Sequence, residues 1–389
     1  MYYAGILIND LGSFIMNKPY KIYVIIMFVL LAVPGLLLLV LPEREYSSNE
    51  NRYLDKMPKA DLQEIATGGF QDKVTNAASD QFIVRDFMMG LSTAFKKTLG
   101  FKDIGGVYIA KDSRYISKIT SSDIVSDTFI QNLMYTSYFA EQQEAEVYTM
   151  LVPSPGTILG DKLPAFAPFY NAGSMYNTVN TLLDTSKIID IREILEQQES
   201  AADIYYKTDH HWTLQGAYAA YREYCNTTGI QKHSYGSFNP EKVSGSFYGT
   251  LYSKVLDFMA KPDEIYAIRT EQAESAVVTC DGEEKKGIYD KSALSQKDKY
   301  AYFFGGNYGR MDIKTGSNTG LKLLVIKDSF ANSFVPFLLG DYSSITMIDP
   351  RYYNKPVLKP AKKGKYDHIL ILYETSNFAG DSNLYKLTR

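Results

Sequence analysis

A long apolar stretch near the N-terminus is the most pronounced hydrophobic feature of the chain. Residues 22–42 carry no charge, and Lys18 and Lys21 lie just before them. About 20 apolar residues at 1.5 Å rise each match a bilayer core of roughly 30 Å. Charged residues follow directly, where a cleaved signal peptide would have small ones. We therefore predict a retained transmembrane helix over 22–42, with residues 1–21 cytoplasmic and the remainder extracytoplasmic by the positive-inside tendency.

Beyond this stretch, the hydrophobic pattern changes from helical to mixed. Apolar positions in residues 43–100 recur at helical spacing, which predicts a membrane-proximal helical segment packed on the main body. From Val107 onward, short apolar runs such as EVYTMLVP, LKLLVI and HILILY alternate with helical stretches. This alternation is typical of an α/β domain with a largely parallel sheet, which we predict for 101–389. The polar, Tyr- and Gly-rich stretch near 253–320 predicts a β-rich insertion.

Composition and charge narrow the class of partner. The 389-residue chain has 41 Lys and Arg against 44 Asp and Glu, a net charge of -3, so we expect no nucleic-acid partner. Its 32 tyrosines suit polar, partly apolar ligands such as sugars, or reflect compositional drift. Cys225 and Cys280 lack the spacing of a zinc ribbon or a disulfide scaffold. One disulfide between them and two free thiols are both compatible with the sequence.

The segment LKLLVIKDSFANSFVPFLLG, residues 321–340, places a serine between a predicted strand and a predicted helix. At such a turn the hydroxyl of Ser329 stands clear of the sheet, and N–H groups of the first helical turn point toward a developing oxyanion. Pro336 lacks an N–H and should kink or restart the helix. The alternative is that Ser329 only caps the helix.

The segment KTDHHWT, residues 207–213, combines two of the four histidines with an aspartate and the only tryptophan. If the backbone is extended, Asp209 and His211 share one side and His210 points away. An aspartate bonded to one ring nitrogen leaves the other nitrogen as a base for a hydroxyl. Thr213 is predicted to cap the following helix. Two alternatives are a metal site built on Asp209 and both histidines, and a polar loop whose histidines only stabilise the helix start.

Together, the two segments could supply the nucleophile, base, orienting acid and oxyanion site of a serine enzyme. With these motifs the chain resembles the DHHW family, named for the motif at 209–212, and beyond it the SGNH-hydrolase-like domains of the alginate O-acetyltransferase group. Further matching stretches are SSNENRYL, DQFIVRD, LVPSPGTILGDKLP and IDPRYY. The resemblance implies an SGNH-hydrolase-like three-layer α/β fold in which the Asp-x-His element precedes the serine strand.

Residue by residue, the resemblance makes Asp209 the orienting acid, His211 the base and Ser329 the nucleophile. It also suggests three substrate or oxyanion residues near the ends of later strands: Arg351, Tyr373 and Asn377. The sequence differs from many SGNH enzymes in having Lys-Asp-Ser for Gly-Asp-Ser and in lacking a Gly-x-Asn-Asp block.

The function implied is a membrane-anchored, extracytoplasmic O-acyltransferase or esterase that acts on cell-surface or exported polysaccharide through an acyl-enzyme. We expect neither a metal nor an organic cofactor, and by analogy a multi-pass membrane partner that delivers the acyl group. A catalytically inactive glycan-binding or assembly protein of the same fold is one alternative. A metal-dependent hydrolase centred on Asp209 and the two histidines is another.

Overall fold

The computed structural model describes residues 18–47, 49–50, 52–124, 126–183, 185–198, 200 and 203–389. The chain forms two compact units, which divide between Ser92 and Thr93. The first unit contains the helices α1 (Lys18–Val40), α2 (Leu62–Thr67), α3 (Gly69–Asp80) and most of α4 (Arg85–Thr98), and the short antiparallel strands β1 (Tyr46–Ser47) and β2 (Arg52–Tyr53).

Helix α1 covers most of the predicted transmembrane stretch. Within the described residues, it is the one helix that is long and apolar enough to cross a membrane, over Tyr20–Leu38, a test that a signal sequence also passes. Most of the predicted cytoplasmic segment, residues 1–17, lies outside the described residues. In the same unit, buried Asp80 accepts two hydrogen bonds from Arg52 and one from the backbone of Asp55, which fixes β2 against the end of α3.

The second unit is an α/β domain. Its helices are α5 (Ser121–Ile124), α6 (Asp127–Glu141), α7 (Pro155–Ile158), α8 (Ala172–Leu182), α9 (Arg192–Glu196), α10 (Leu214–Thr228), α11 (Thr250–Val255), α12 (Glu271–Ser275), α13 (Ala331–Phe334), α14 (Leu358–Gly364) and α15 (Thr375–Gly380). Its strands are β3 (Asp103–Ile104), β4 (Val107–Ile109), β5 (Tyr115–Ser117), β6 (Glu146–Val152), β7 (Lys187–Ile188), β8 (Glu241–Phe247), β9 (Asp263–Ala267), β10 (Val277–Cys280), β11 (Glu283–Lys286), β12 (Arg310–Lys314), β13 (Lys322–Lys327), β14 (Ser344–Ile348) and β15 (His368–Glu374).

Eight of these strands form one sheet in the order β11-β10-β12-β14-β13-β15-β6-β7. The five strands from β14 to β7 are parallel, and β12, β10 and β11 extend the sheet antiparallel. Alternate residues of β13 enter different cores, Leu323 and Val325 on one face and Leu324 and Ile326 on the other. Helices α10 and α13 cover the first face, and α6, α8 and α15 cover the second. The predicted three-layer α/β fold is therefore confirmed.

The stretch near 253–320, for which we expected a β-rich insertion, contains four short strands. Three of them, β10 to β12, continue the main sheet at its antiparallel edge. The fourth, β9, pairs with β8 in a separate two-stranded sheet. Cys225 and Cys280 are both buried free thiols.

The segment after β13 follows the hydrophobic pattern of the sequence closely. Strand β13 ends at Lys327, and α13 gives way after Phe334 to a 3-10 turn over Val335–Leu338. The break that we predicted from Pro336 is confirmed. Because β6, β13 and β15 are parallel, Val152, Lys327 and Glu374 end at the same edge of the sheet, the edge at which open α/β sheets usually carry their sites.

Candidate active site

The loop that carries the DHHW motif meets the turn after β13 at this carboxyl edge. Ser329 Oγ lies 2.7 Å from His211 Nε2, across 118 positions of sequence. His211 Nδ1 lies 2.6 Å from Asp209 Oδ1. The three residues are only 9, 5 and 2% exposed, respectively. Because an ionised carboxylate can only accept, Nδ1 carries the proton, and Nε2 is left to accept the hydrogen bond of the serine hydroxyl.

Asp209 is held by more than the histidine ring. Its Oδ1 also accepts from the backbone N–H of His211 at 3.0 Å, and its Oδ2 accepts from the backbone N–H and the hydroxyl of Thr250 at 2.7 and 3.0 Å. Burial by itself would raise the pKa of Asp209, but attraction to the two imidazoles and these hydrogen bonds outweigh it and bring the pKa well below the usual range. A Cβ on Gly249 would overlap the Asp209 side chain, so this close approach requires glycine.

His210 does not point away from the site, and our expectation for it is wrong. Its ring lies 4.0 Å from the ring of His211, and its Nδ1 bonds to Thr250 Oγ1 at 2.7 Å. The physical reason is that residues 207–211 form successive bends, to which the side-to-side alternation of an extended strand does not apply. Burial, together with the neighbouring His211, lowers the pKa of His210 to about 4, so this imidazole is neutral near pH 7.

Aromatic side chains fix the position of the His211 ring. The ring of Tyr300 stacks on His211 with centroids 3.9 Å apart and planes 13° apart, and its hydroxyl bonds to Ser329 O and Ser333 Oγ. Buried Trp212 donates from Nε1 to Phe330 O at 3.1 Å and to Ser333 Oγ at 2.9 Å. The loop and the helix after the serine are therefore tied together. The predicted cap of α10 by Thr213 is also present, through Gly216 N–H.

The alternative role of Ser329, a simple helix cap, does not match the geometry. The N-cap residue of α13 is Phe330, and no side chain caps this helix end. The turn is instead held by Lys327, which is fully buried and donates to Asn307 Oδ1 at 2.6 Å and Asn332 Oδ1 at 2.9 Å. Its Nζ also lies 3.6 Å from Asp349 Oδ2. Burial lowers the pKa of Lys327 to about 8.

Two buried carboxyl groups connect this turn to the end of β15. Asp328 accepts from Phe330 N–H at 2.9 Å and, through Oδ2, from Glu374 N–H and Asn377 Nδ2, both at 2.8 Å. Glu374 in turn accepts from the hydroxyl of Ser154 and from the backbone N–H of Asn377. Burial raises the pKa of both carboxyl groups. Glu374 is therefore an additional part of the site that the sequence motifs did not reveal.

A cavity of about 310 Å³ lies next to His210 and Thr250, which contact His211 and Asp209. Its lining residues are Ser117, Ile119, Pro155, His210, Thr250, Leu251, Lys254, Glu374, Ser376 and Asn377. Ser329 and His211 do not line it, but they are joined to it through the His210 ring and through the hydrogen bond from Asn377 to Asp328. A small acyl group and part of an acceptor would fit a space of this size.

Of the three further residues suggested by the resemblance, only Asn377 lies at this cavity. Arg351 forms a two-pronged ion pair with buried Asp349, at 2.9 and 2.7 Å. Tyr373 is completely buried and donates to Asp381 Oδ2. Its position in the core on the far face of the sheet corrects the expectation that it contributes to a pocket.

A metal site remains to be compared with the triad. Within the described residues, Asp209, His210 and His211 form a group whose potential ligand atoms lie within 4.8 Å of one another. However, Asp209 Oδ1 is bonded to His211 Nδ1, and His211 Nε2 is bonded to Ser329. Since an ion would have to break one of these bonds, the arrangement fits a hydrogen-bonded triad better than a set of metal ligands.

Comparisons with known proteins agree with the motifs. The family model described as DHHW protein matches residues 84–348, more than half of the chain. A DHHW family protein from Eubacterium siraeum DSM 15702 has 22% identity and a TM-score of 0.63, covering 73% of this chain and 95% of that one. Bacillus cereus PatB1, solved with a sulfonyl adduct, has 23% identity and a TM-score of 0.61, covering 72% and 97%.

A more distant likeness is to the O-acetyltransferase domain of Pseudomonas putida AlgJ, with 12% identity, a TM-score of 0.44 and coverage of 73% and 99%. No protein in the curated collection of sequences matches this chain. The Eubacterium siraeum and Bacillus cereus proteins share the fold at identities below 25%.

Proposed function

This chain belongs to the DHHW family, and on that premise we propose that it is a serine-dependent O-acyltransferase or esterase. The observation that carries the proposal is the hydrogen-bonded series Ser329–His211–Asp209, with distances of 2.7 and 2.6 Å. A serine hydroxyl needs a positioned base to become a nucleophile, and the base needs a partner that fixes its tautomer. The hydrogen bonds of His211 to Ser329 and to Asp209 support both roles.

The proposed reaction has two steps. In the first, Ser329 Oγ attacks the carbonyl carbon of an acyl donor while His211 Nε2 takes the hydroxyl proton; the donor's leaving group then departs with that proton. In the second step, His211 takes a proton from an acceptor hydroxyl, whose oxygen attacks the acyl-enzyme carbonyl. Ser329 leaves and recovers the proton from His211. A sugar hydroxyl as acceptor makes the protein a transferase, and water makes it an esterase.

Two hydrogen-bond donors are placed to stabilise the oxyanion of the reaction. The backbone N–H of Ser329 belongs to the turn itself, whereas the next N–H, that of Phe330, is used by Asp328 Oδ1. Asn377 Nδ2 carries two hydrogens, one of which serves Asp328 Oδ2 at 2.8 Å. We assign the second hydrogen to the oxyanion. Glu374, which holds the backbone of Asn377, then fixes the direction of this donor.

The setting of the reaction follows from α1. If α1 spans the bilayer, the second unit is held at the extracytoplasmic surface, where cell-surface or exported polysaccharide is the acceptor that the family resemblance implies. A multi-pass partner would supply the acyl group from the membrane. Neither a metal nor an organic cofactor enters any step of this scheme.

The test uses the full chain in detergent with a chromogenic acetyl ester. We expect Ser329→Ala to reduce hydrolysis to the background rate, while a chelator leaves the native rate unchanged. A sulfonyl fluoride, which leaves the kind of adduct named for PatB1, should modify the native chain at Ser329 and leave Ser329→Ala unmodified, as measured by mass spectrometry. Equal ester rates for the two proteins would favour the inactive glycan-binding alternative. Loss of activity with chelator would favour the metal site.

A further inference from the structure

The C-terminal part of helix α4, from Thr93 onward, belongs to the second unit and presents a polar side to the rest of that unit and an apolar side to solvent. Near its C-terminal end, Thr93 Oγ1 donates to the carbonyl of Val255, and Lys97 Nζ donates to Asp257 Oδ2. On the other side, Phe95 is 64% exposed and Leu99 is 59% exposed. Amphipathic helices of globular domains bury the apolar stripe and expose the polar one. This helix does the reverse.

The exposed stripe is part of a larger surface, which we call the apolar patch and define as Phe95, Leu99, Phe101 and Met259. Phe101 is 55% exposed and Met259 is 78% exposed. Met259 follows Asp257, the partner of Lys97, and so lies near the same end of α4. A contiguous exposed patch of large apolar residues marks an interaction surface.

Two features of the chain identify the partner as a lipid bilayer. Lys96 and Lys102 are exposed beside the patch, and cations next to inserted apolar side chains are typical of helices that lie at the surface of anionic membranes. The same chain also carries α1, which has the length and composition to cross a membrane. A bilayer is therefore the surface that the anchored protein always meets.

We propose that the apolar patch inserts into the interface of the bilayer in which α1 is anchored, with Lys96 and Lys102 at the anionic headgroups. This inference rests on the proposed membrane anchoring and not on the acyl-transfer chemistry. Insertion of such a face reaches about 5–10 Å into the boundary between headgroups and acyl chains. A second attachment point would restrict the orientations that the second unit adopts at the membrane.

The test places a fluorescent reporter in the patch of the full chain. Phe95→Trp is compared with the matched control Phe166→Trp, which replaces a fully exposed phenylalanine of the same unit. The native Trp212 is completely buried and gives a constant background. Both variants are reconstituted in vesicles of equal parts phosphatidylcholine and phosphatidylglycerol, with and without bromine on the acyl chains. Flotation with the vesicles reports the anchor independently.

We expect blue-shifted emission for Phe95→Trp, a several-fold loss of that emission in brominated vesicles, and protection from aqueous iodide. The emission of Phe166→Trp should be the same in both vesicle types and sensitive to iodide. Emission of Phe95→Trp that matches the control would overturn the proposal. A blue shift without bromine quenching would also overturn it, since another protein surface, such as a second copy of the chain, would then cover the patch. Failure to float would remove the anchor itself, whereas the ester assay tests the catalytic proposal separately.

Discussion

Asp209→Asn is the substitution that tests the triad most directly, because it changes a charge and a hydrogen-bonding pattern with almost no change in shape. Asp209 is 2% exposed and accepts four hydrogen bonds, two from His211 and two from Thr250. An asparagine offers one acceptor oxygen and one NH₂ donor in place of two acceptor oxygens. In either orientation of the amide, its NH₂ group must therefore face hydrogen-bond donors of Thr250 or His211, and at least one hydrogen bond is lost.

The size of the effect can be worked out from this arrangement. If the amide oxygen takes the place of Oδ2 and accepts from Thr250, the NH₂ takes the place of Oδ1 and faces His211 Nδ1, which must then become the acceptor. The ring proton moves to Nε2, where a base for Ser329 is needed. Loss of the correct tautomer costs about 10⁴ in kcat in enzymes of this type, equivalent to about 5.5 kcal/mol of transition-state stabilisation. We expect a loss of that order.

The assay is hydrolysis of a chromogenic acetyl ester by the full chain over a range of substrate concentrations, which separates kcat from KM. The matched control is Asp263→Asn. Asp263 is also a buried carboxylate of this region and accepts from Lys207 N–H, Thr208 N–H and the Thr208 hydroxyl, but it does not contact His211. We expect this control to lose stability with little change in kcat of the folded fraction. A loss below about tenfold for Asp209→Asn, or equal losses for both variants, would refute the orienting role.

Three further predictions concern the surroundings of the triad. Gly249→Ala should displace the Asp209 carboxylate and lower kcat by about 10²-fold; Gly245→Ala, whose Cβ meets no atom within 4 Å, should match the native rate in the same ester assay. Tyr300→Phe keeps the aromatic ring stacked on His211 and should cost about 1 kcal/mol of stability in urea unfolding. Tyr300→Ala should also reduce kcat; equal kcat for both variants would show that the stacking is dispensable. Burial raises the pKa of Asp341 to about 6. The folded chain therefore keeps a proton that the unfolded chain releases near pH 4, and the free energy of unfolding falls as the pH rises from about 4 to about 6. Asp341→Asn should therefore stabilise the protein by about 2 kcal/mol at pH 7, with the gain vanishing by pH 4; a gain that does not change with pH would contradict this assignment.

The parallel part of the sheet could be predicted because its strands lie in continuous apolar runs. Such a run can be recognised from a few neighbouring residues. The antiparallel edge could not be recognised in the same way. Strand β12 reads RMDIK, with only Met311 and Ile313 buried, so its period-two pattern rests on two residues. A pattern that short does not show whether a strand joins the main sheet or forms an insertion.

The candidate site shows the same division between local and distant signals. Asp209, His211 and Ser329 could be proposed together because the motifs that carry them are specific. By contrast, Tyr300, Gly249 and Glu374 have no recognisable local motif, since their roles depend on contacts with residues far away in the sequence. The incorrect orientation of His210 came from assuming an extended backbone for a segment that bends at successive residues.

The presence of Lys327, where many SGNH enzymes have the glycine of Gly-Asp-Ser, can be explained by the direction of its side chain. Lys327 is the last residue of β13, and its ammonium group reaches Asn307 and Asn332 inside the protein. A glycine is therefore not required for space at this position. Removing the charge should instead destabilise the turn, because Asn332 Oδ1 loses its Lys327 donor and Asp349 keeps only Arg351 as a cation. The substitution of lysine for glycine thus changes how the turn is held, while Asp328 still connects the serine turn to Asn377.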